Sequence, residues 1–190
     1  MERPMTLMRA FLAIAIAVTF ATTPLRAGQD ATTVYLTLDQ APKSLFPGAQ
    51  IERKDVPSTP QFKEMLKAKL GRVTPTVWEE SYPTFTATQD NKTVGYAVVV
   101  DEIGKVNPFT LIVAATPEFK VRDVAVMVYR EPRGGEITQK RFLAQYKGKK
   151  SSDPILLDRD IVGISGATLS VIGANRAVHK ALSVLELVYR

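Results

Sequence analysis

The feature that most constrains this chain is a change of hydrophobic period along it. From Thr84 to Arg130 apolar side chains tend to recur at every second residue, the spacing of a strand, whereas from Ala167 to Tyr189 they recur at helical spacing. Phe85–Thr88, an Asp90-Asn91 turn and Thr93–Val100 predict a hairpin. Phe109–Ala115 and Val121–Tyr129 predict two further strands, with Gly104, Asn107-Pro108 and Pro117 as the breaks between them. Consecutive strands followed by a helix, without βαβ alternation, predict an α+β fold: an antiparallel meander whose apolar face needs helices to cover it. In the long C-terminal helix Val171, Ala174, Val178, Leu182 and Leu185 share one stripe. Asn175, Arg176, His179, Lys180 and Glu186 lie off it, which predicts a surface position for His179.

The segment 28–83 reads as a helical lead-in. Leu36–Ala41 opens with helix-capping chemistry and Phe46-Pro47-Gly48-Ala49 closes that element. A second helix is clearer: Ser58-Thr59-Pro60 supplies a cap and a first-turn proline, Phe62, Met65, Leu66 and Leu70 keep helical spacing, and Gly71 ends it. Trp78 and Tyr82 follow as core or core-edge aromatics, and Phe109 as a core residue opening its strand. Between the meander and the last helix lie an irregular loop, Glu131-Pro132-Arg133-Gly134-Gly135-Glu136, and a short helix from Gln139 to Tyr146.

Composition narrows the chemistry. The chain has no cysteine and one histidine, which excludes thiolate clusters, cysteine-ligated haem and multi-histidine metal sites. Redox work would therefore need an organic cofactor. The formal charge is +6; Arg3, Arg9 and Arg26 against Glu2 account for +2 of it, leaving +4 dispersed among acids. Lys147-Gly148-Lys149-Lys150 is too short a basic run to indicate nucleic acid. Residues 1–27 have the layout of a secretory signal: two early arginines, the apolar run Ala10–Ala21, and a small residue at Ala27. That run is shorter than the roughly twenty apolar residues of a membrane span. Cleavage after Ala27 is expected, with a retained single-helix anchor as the alternative.

One segment carries chemistry. In Asp160-Ile-Val-Gly-Ile-Ser165-Gly166-Ala167-Thr168-Leu169-Ser170 small residues stand where a strand-like run meets the last helix. Gly166 and Ala167 let a ligand approach the backbone, and the first helical turn offers unpaired N–H groups and the positive end of the dipole. Ser165 and Thr168 add hydroxyls. Gly163-Ile164-Ser165-Gly166-Ala167 also resembles a hydrolase nucleophile elbow, but the alternating α/β order is missing. His179, the only histidine, lies about 21 Å along the helix from Ser165 at 1.5 Å per residue.

Ser165-Gly166-Ala167-Thr168, followed by Leu169-Ser170 and an amphipathic helix, resembles the flavinylation motif of the FMN-binding domain family. This family includes the periplasmic FMN subunits of the sodium-pumping NADH:quinone reductase and of Rnf complexes. Upstream, Gly95-Tyr96, the Tyr129–Gly135 stretch, Phe142 and Gly148 are similar to the family's strand, its glutamate-proline-glycine loop and the residues after it. The resemblance implies an FMN-binding domain over 84–190 and FMN joined to Thr168 by a phosphoester. Ser165, Gly166, Ala167, Leu169 and Ser170 would surround the phosphate, and Glu131, Pro132, Arg133, Gly134 and Gly135 would border the ring. It also implies a flavin transferase that attaches the cofactor and a membrane-bound electron donor or acceptor, with no substrate turnover by the domain itself. The family's aspartate three residues before the serine is replaced here by Val162, with Asp160 two residues further back. A non-redox exported binding or assembly module of the same fold is the alternative. Exported protein is expected to begin at Gly28 on N-terminal sequencing; a product beginning at Met1 would show that the leader is kept.

Overall fold

The computed structural model describes residues 32–190, so the leader lies outside the described residues. Six antiparallel strands form one sheet: β1 (Thr33–Val34), β2 (Gln50–Pro57), β3 (Ser81–Gln89), β4 (Lys92–Ile103), β5 (Pro108–Ala115) and β6 (Val121–Tyr129), in the spatial order β1-β6-β5-β4-β3-β2. The helices are α1 (Gln40–Leu45), α2 (Pro60–Leu70), α3 (Lys140–Leu143) and α4 (Thr168–Tyr189). The α+β meander read from the period-two stretch is therefore present, and β3 and β4 turn at Asp90 and Asn91, both at positive φ (51° and 58°) as a tight hairpin requires.

The central strands are covered on both faces, so their sequences run nearly continuously apolar. On one face Val98, Val100, Leu111 and Val113 meet Phe62 and Leu66 of α2 and Val171, Val178 and Leu182 of α4. On the other, Phe85, Ala97, Val99, Ile112 and Met127 pack under Ala41, Leu45 and Phe46 at α1. The α2 signals work as read: Thr59 Oγ1 accepts from Phe62 N–H at 3.2 Å, and Gly71 follows the last helical residue.

Two expectations are corrected. The lead-in is not simply helical, because β1 and β2 supply both edges of the sheet, and β2 pairs with β3 from Gln50↔Thr88 to Pro57↔Ser81. Its side chains face solvent along most of its length, which removes the alternation that would have marked a strand. Nor is His179 on the surface: it is buried, with Nε2 2.9 Å from the Pro154 carbonyl. The off-stripe residues of α4 are covered because α2 and the loop before α4 close over that side. Tyr146 donates to Asn175 Oδ1 at 2.7 Å, and Lys180 is wholly buried.

Glu186 closes the far end of α4. Its carboxylate takes Lys69 of α2 at 2.5 Å and the Ser151 hydroxyl at 2.5 Å. Burial alone would raise its pKa, but bonding to Lys69 and Ser151 outweighs this and holds it below the ordinary carboxylate value. A depressed folded pKa means that the stabilisation is complete above the unfolded pKa, about 4.3, and is lost as pH falls through the lower folded value. Glu186→Gln should therefore lower stability at neutral pH and flatten the fall in stability below about pH 4. Urea unfolding at stepped pH measures this; an unchanged acid limb would refute it.

Candidate functional site

Three segments distant in sequence meet at the N-terminus of α4. The first is the turn before the helix: Gly166 adopts φ +80°, Ala167 N–H bonds the Ile164 carbonyl at 3.0 Å, and the helix begins at Thr168. No side chain caps this terminus. The first main-chain bond of the helix is Val171 N–H to the Ala167 carbonyl, so the N–H groups of Thr168, Leu169 and Ser170 have no partner among the described residues. Three unpartnered donors and the positive end of a 22-residue helix thus lie next to the exposed Ser165-Gly166 turn.

The hydroxyls around this terminus differ. Ser165 and Thr168 are exposed, as are Gly166 and Leu169, while Ala167 is buried. Ser170 is buried and lies 3.1 Å from the Tyr129 hydroxyl, which donates to the Arg133 carbonyl at 2.8 Å. Burial raises the Tyr129 pKa, so the phenol keeps its proton for that bond.

The second segment is the loop after β6. Gly134, at φ +80°, sits so close that a Cβ would lie 2.5 Å from Ser170 Oγ and 2.9 Å from the Tyr129 hydroxyl. Only glycine allows that backbone conformation and that approach together. Pro132 and Arg133 are exposed and Gly135 is half-buried.

The third segment, the β4–β5 turn, was read in the sequence only as a break. One oxygen of the buried Glu131 accepts from Lys105, Val106 and Asn107 N–H at 2.6, 2.5 and 2.9 Å. These successive N–H groups form a nest around the carboxylate. Asn107 Nδ2 adds a bond to the Arg130 carbonyl at 3.0 Å. The turn thus reaches the helix start, since Gly104 lies against both Glu131 and Ser170, and it leaves Val106 67% exposed, as Leu169 is 47% exposed. No sequence signal pointed to this turn, because its contacts to Glu131 span 24 to 26 residues.

Val162 is 74% exposed, and its peptide is bracketed by Gln145, which accepts from Val162 N–H at 2.8 Å and donates to its carbonyl at 3.3 Å. Asp160 does not take the place of the missing acid. It binds Lys149 at 2.9 Å and receives the Ile155 and Leu156 N–H groups at 3.1 and 2.7 Å. Burial would raise its pKa, but these backbone bonds and Lys149 hold it below the usual value.

The donor set suits a phosphate monoester or diester: free helix N–H groups, an exposed hydroxyl on the first helical residue, and an open approach at Gly166, where no atom lies within 4 Å of a would-be Cβ. Glu131→Ala should strand three N–H groups, lower stability by about 3 kcal/mol and speed hydrogen exchange at Lys105, Val106 and Asn107. Slow exchange persisting at those amides would refute this account of the turn.

Residues 104–183 match the FMN-binding domain family. One component of the proton-translocating ferredoxin:NAD(+) oxidoreductase complex of Clostridium ljungdahlii is 28% identical over 106 residues, covering 52% of this chain and 57% of that component. The chain thus spans little more than half the length of this relative. The crystal structure of Shewanella oneidensis NqrC superposes with a TM-score of 0.53 at 17% identity, over 77% of this chain and 85% of that one, and has the same fold.

Proposed function

We propose, from the premise that residues 104–183 are an FMN-binding domain, that the chain carries FMN on Thr168 and relays electrons between membrane-associated redox partners outside the cytoplasm. The observation that carries this reading is the uncapped start of α4, where free N–H groups adjoin an exposed threonine hydroxyl. Among the described residues no helix is long and apolar enough to cross a membrane, so association with one would come through partners or through the leader.

The residues present support attachment at Thr168: its Oγ would attack the FMN-side phosphorus of FAD, breaking the pyrophosphate bond and releasing AMP, with the hydroxyl proton passing to the transferase or solvent. The free N–H groups of Thr168, Leu169 and Ser170 would hold the phosphate oxygens, as helix N-termini hold anions generally. Ser170 is a poor acceptor of the flavin, since it is buried against Tyr129. Val106 and Leu169 offer apolar surface to a flat ring, held in place by the Glu131 nest and the Gly134–Ser170 contact. Bound FMN would supply one- and two-electron chemistry, which no side chain of this cysteine-free chain provides. A covalent bond also removes the dependence of occupancy on free flavin, which is dilute outside the cell.

Coexpression with a flavin transferase in an exporting host should give a protein that stays yellow after denaturation and is heavier by FMN minus water. Thr168→Val should lose that mass gain while unfolding at nearly the same urea concentration. Modification persisting in this variant on Ser165 or Ser170 would overturn the residue assignment. Unmodified wild-type protein would favour a binding or assembly module without flavin, the reading that Val162 supports.

A further inference from the structure

Among the described residues, the edge of the sheet at β6 is covered along only part of its length. β1 pairs with Val128 and Tyr129, and Tyr35 and Leu36 N–H both bond the Met127 carbonyl before the chain turns away into α1. At the other end the backbone of the 148–149 stretch closes on Val121: Val121 N–H bonds the Lys149 carbonyl and Gly148 N–H bonds the Val121 carbonyl, each at 2.8 Å. Between these closures, Arg122 to Val126 have β5 on one side and no described strand on the other. That interval, about 17 Å of strand, is the floor of a groove of about 580 Å³, with Ser44 and Leu45 at the end of α1 on one wall and Lys140 and Leu143 of α3 on the other.

One main-chain donor of the floor, Val124 N–H, is bonded to Asp123 Oδ1 at 2.8 Å, a side chain of its own strand, and Asp123 is exposed and so can be displaced. Around the groove stand Arg122, Lys140 and Lys147, against Asp123 as the one carboxylate of its lining. None of these three cations is within ion-pair distance of a carboxylate among the described residues. Arg122 instead lies over the Phe46 ring at 5.0 Å.

We propose that this slot receives an extended, acidic segment of another polypeptide, which adds a strand to β6 between Met127 and Val121. An uncovered strand edge repeats donors and acceptors at the spacing of a peptide backbone, which a compact small molecule does not match. Apolar walls at Leu45 and Leu143 accept alternate side chains, and the unpaired cations select negative charge. The slot does not depend on flavin: none of Ser165 to Ser170 lines it.

The test is titration of the ¹⁵N-labelled protein with a capped synthetic peptide of alternating valine and glutamate. Amide shifts should concentrate on Arg122–Val126. A lysine-for-glutamate peptide, and one N-methylated at alternate residues, should each bind at least about tenfold more weakly. Lys140→Glu with Lys147→Glu should weaken the glutamate peptide by a similar factor, and Asp123→Ala should tighten it severalfold by freeing Val124 N–H. No binding to either wild type or Asp123→Ala would overturn the proposal. So would equal binding of the N-methylated peptide, which would mean charge alone, or a concentration-dependent dimer formed through the same amides, which would make the occupant a second copy of this chain.

Discussion

The candidate site depends on how closely α4 sits against the corner where β4 ends. A Cβ on Gly173 would lie 2.7 Å from the Ile103 carbonyl oxygen and 3.1 Å from the Phe109 ring, so only a residue without a side chain lets the helix rest there. Backbone cannot retreat as a flexible side-chain tip can, and a methyl group at this position would lift the first turns of α4 off the sheet. Bonds on either side of Gly173 then fix the helix along its axis: Ser170 to Tyr129 before it, and Arg176 to the Ile103 carbonyl at 3.1 Å after it. Thr168 inherits its place from these contacts. The free N–H groups beside it point back along the helix axis toward its N-terminus, a line that the same contacts aim.

Further along, a second kind of attachment sets the rotation of the helix. The apolar stripe of Val171, Val178, Leu182 and Leu185 provides most of the burial, yet such contacts tolerate sliding and turning. Lys180 does not. Wholly buried, it donates to the Val77 carbonyl at 2.9 Å and the Asp101 carbonyl at 2.6 Å, and lies 2.8 Å from Glu79 Oε1. A buried ammonium without these partners would be strongly unfavourable, so any rotation that broke them is excluded. The segment after α2, the end of β4 and the middle of α4 are thereby tied at one point. The Gly173 contact sets how close the helix lies, and Lys180 sets which face it shows.

Much of the fold was legible because it rests on local rules. The Asp90-Asn91 turn, the limits of β6 and the Thr59 cap each depend on residues within a few positions of one another. What was not legible depended on distance or on solvent. β2 carries Glu52-Arg53-Lys54-Asp55 because an edge strand may point polar side chains outward, and that run shows no alternation. The polar residues of α4 looked like a solvated face, whereas His179, Lys180 and Glu186 each meet a partner from another segment. At the site, the small residues before Thr168 announced the turn that opens α4. Nothing local announced that Glu131 would be spent on the 105–107 backbone rather than left to face a ligand, or that Asp160 would be held by Lys149.

Val162 can be understood in the same physical terms. It lines a cleft with Ser165, on the approach to the helix start, and its side chain faces solvent. A carboxylate at that position would add negative charge to the cleft that Ser165 also lines, which does not help an anion bind there. The donors that favour a phosphate are main-chain N–H groups of Thr168, Leu169 and Ser170, which no substitution at 162 removes. Valine there is therefore compatible with phosphate binding. Under the proposed attachment at Thr168, an aspartate at 162 would matter instead at the step that forms the bond, where the threonine must lose its proton. Anion affinity and covalent attachment would thus place different demands on the same short segment, and the main-chain donors suit the first whatever residue stands at 162.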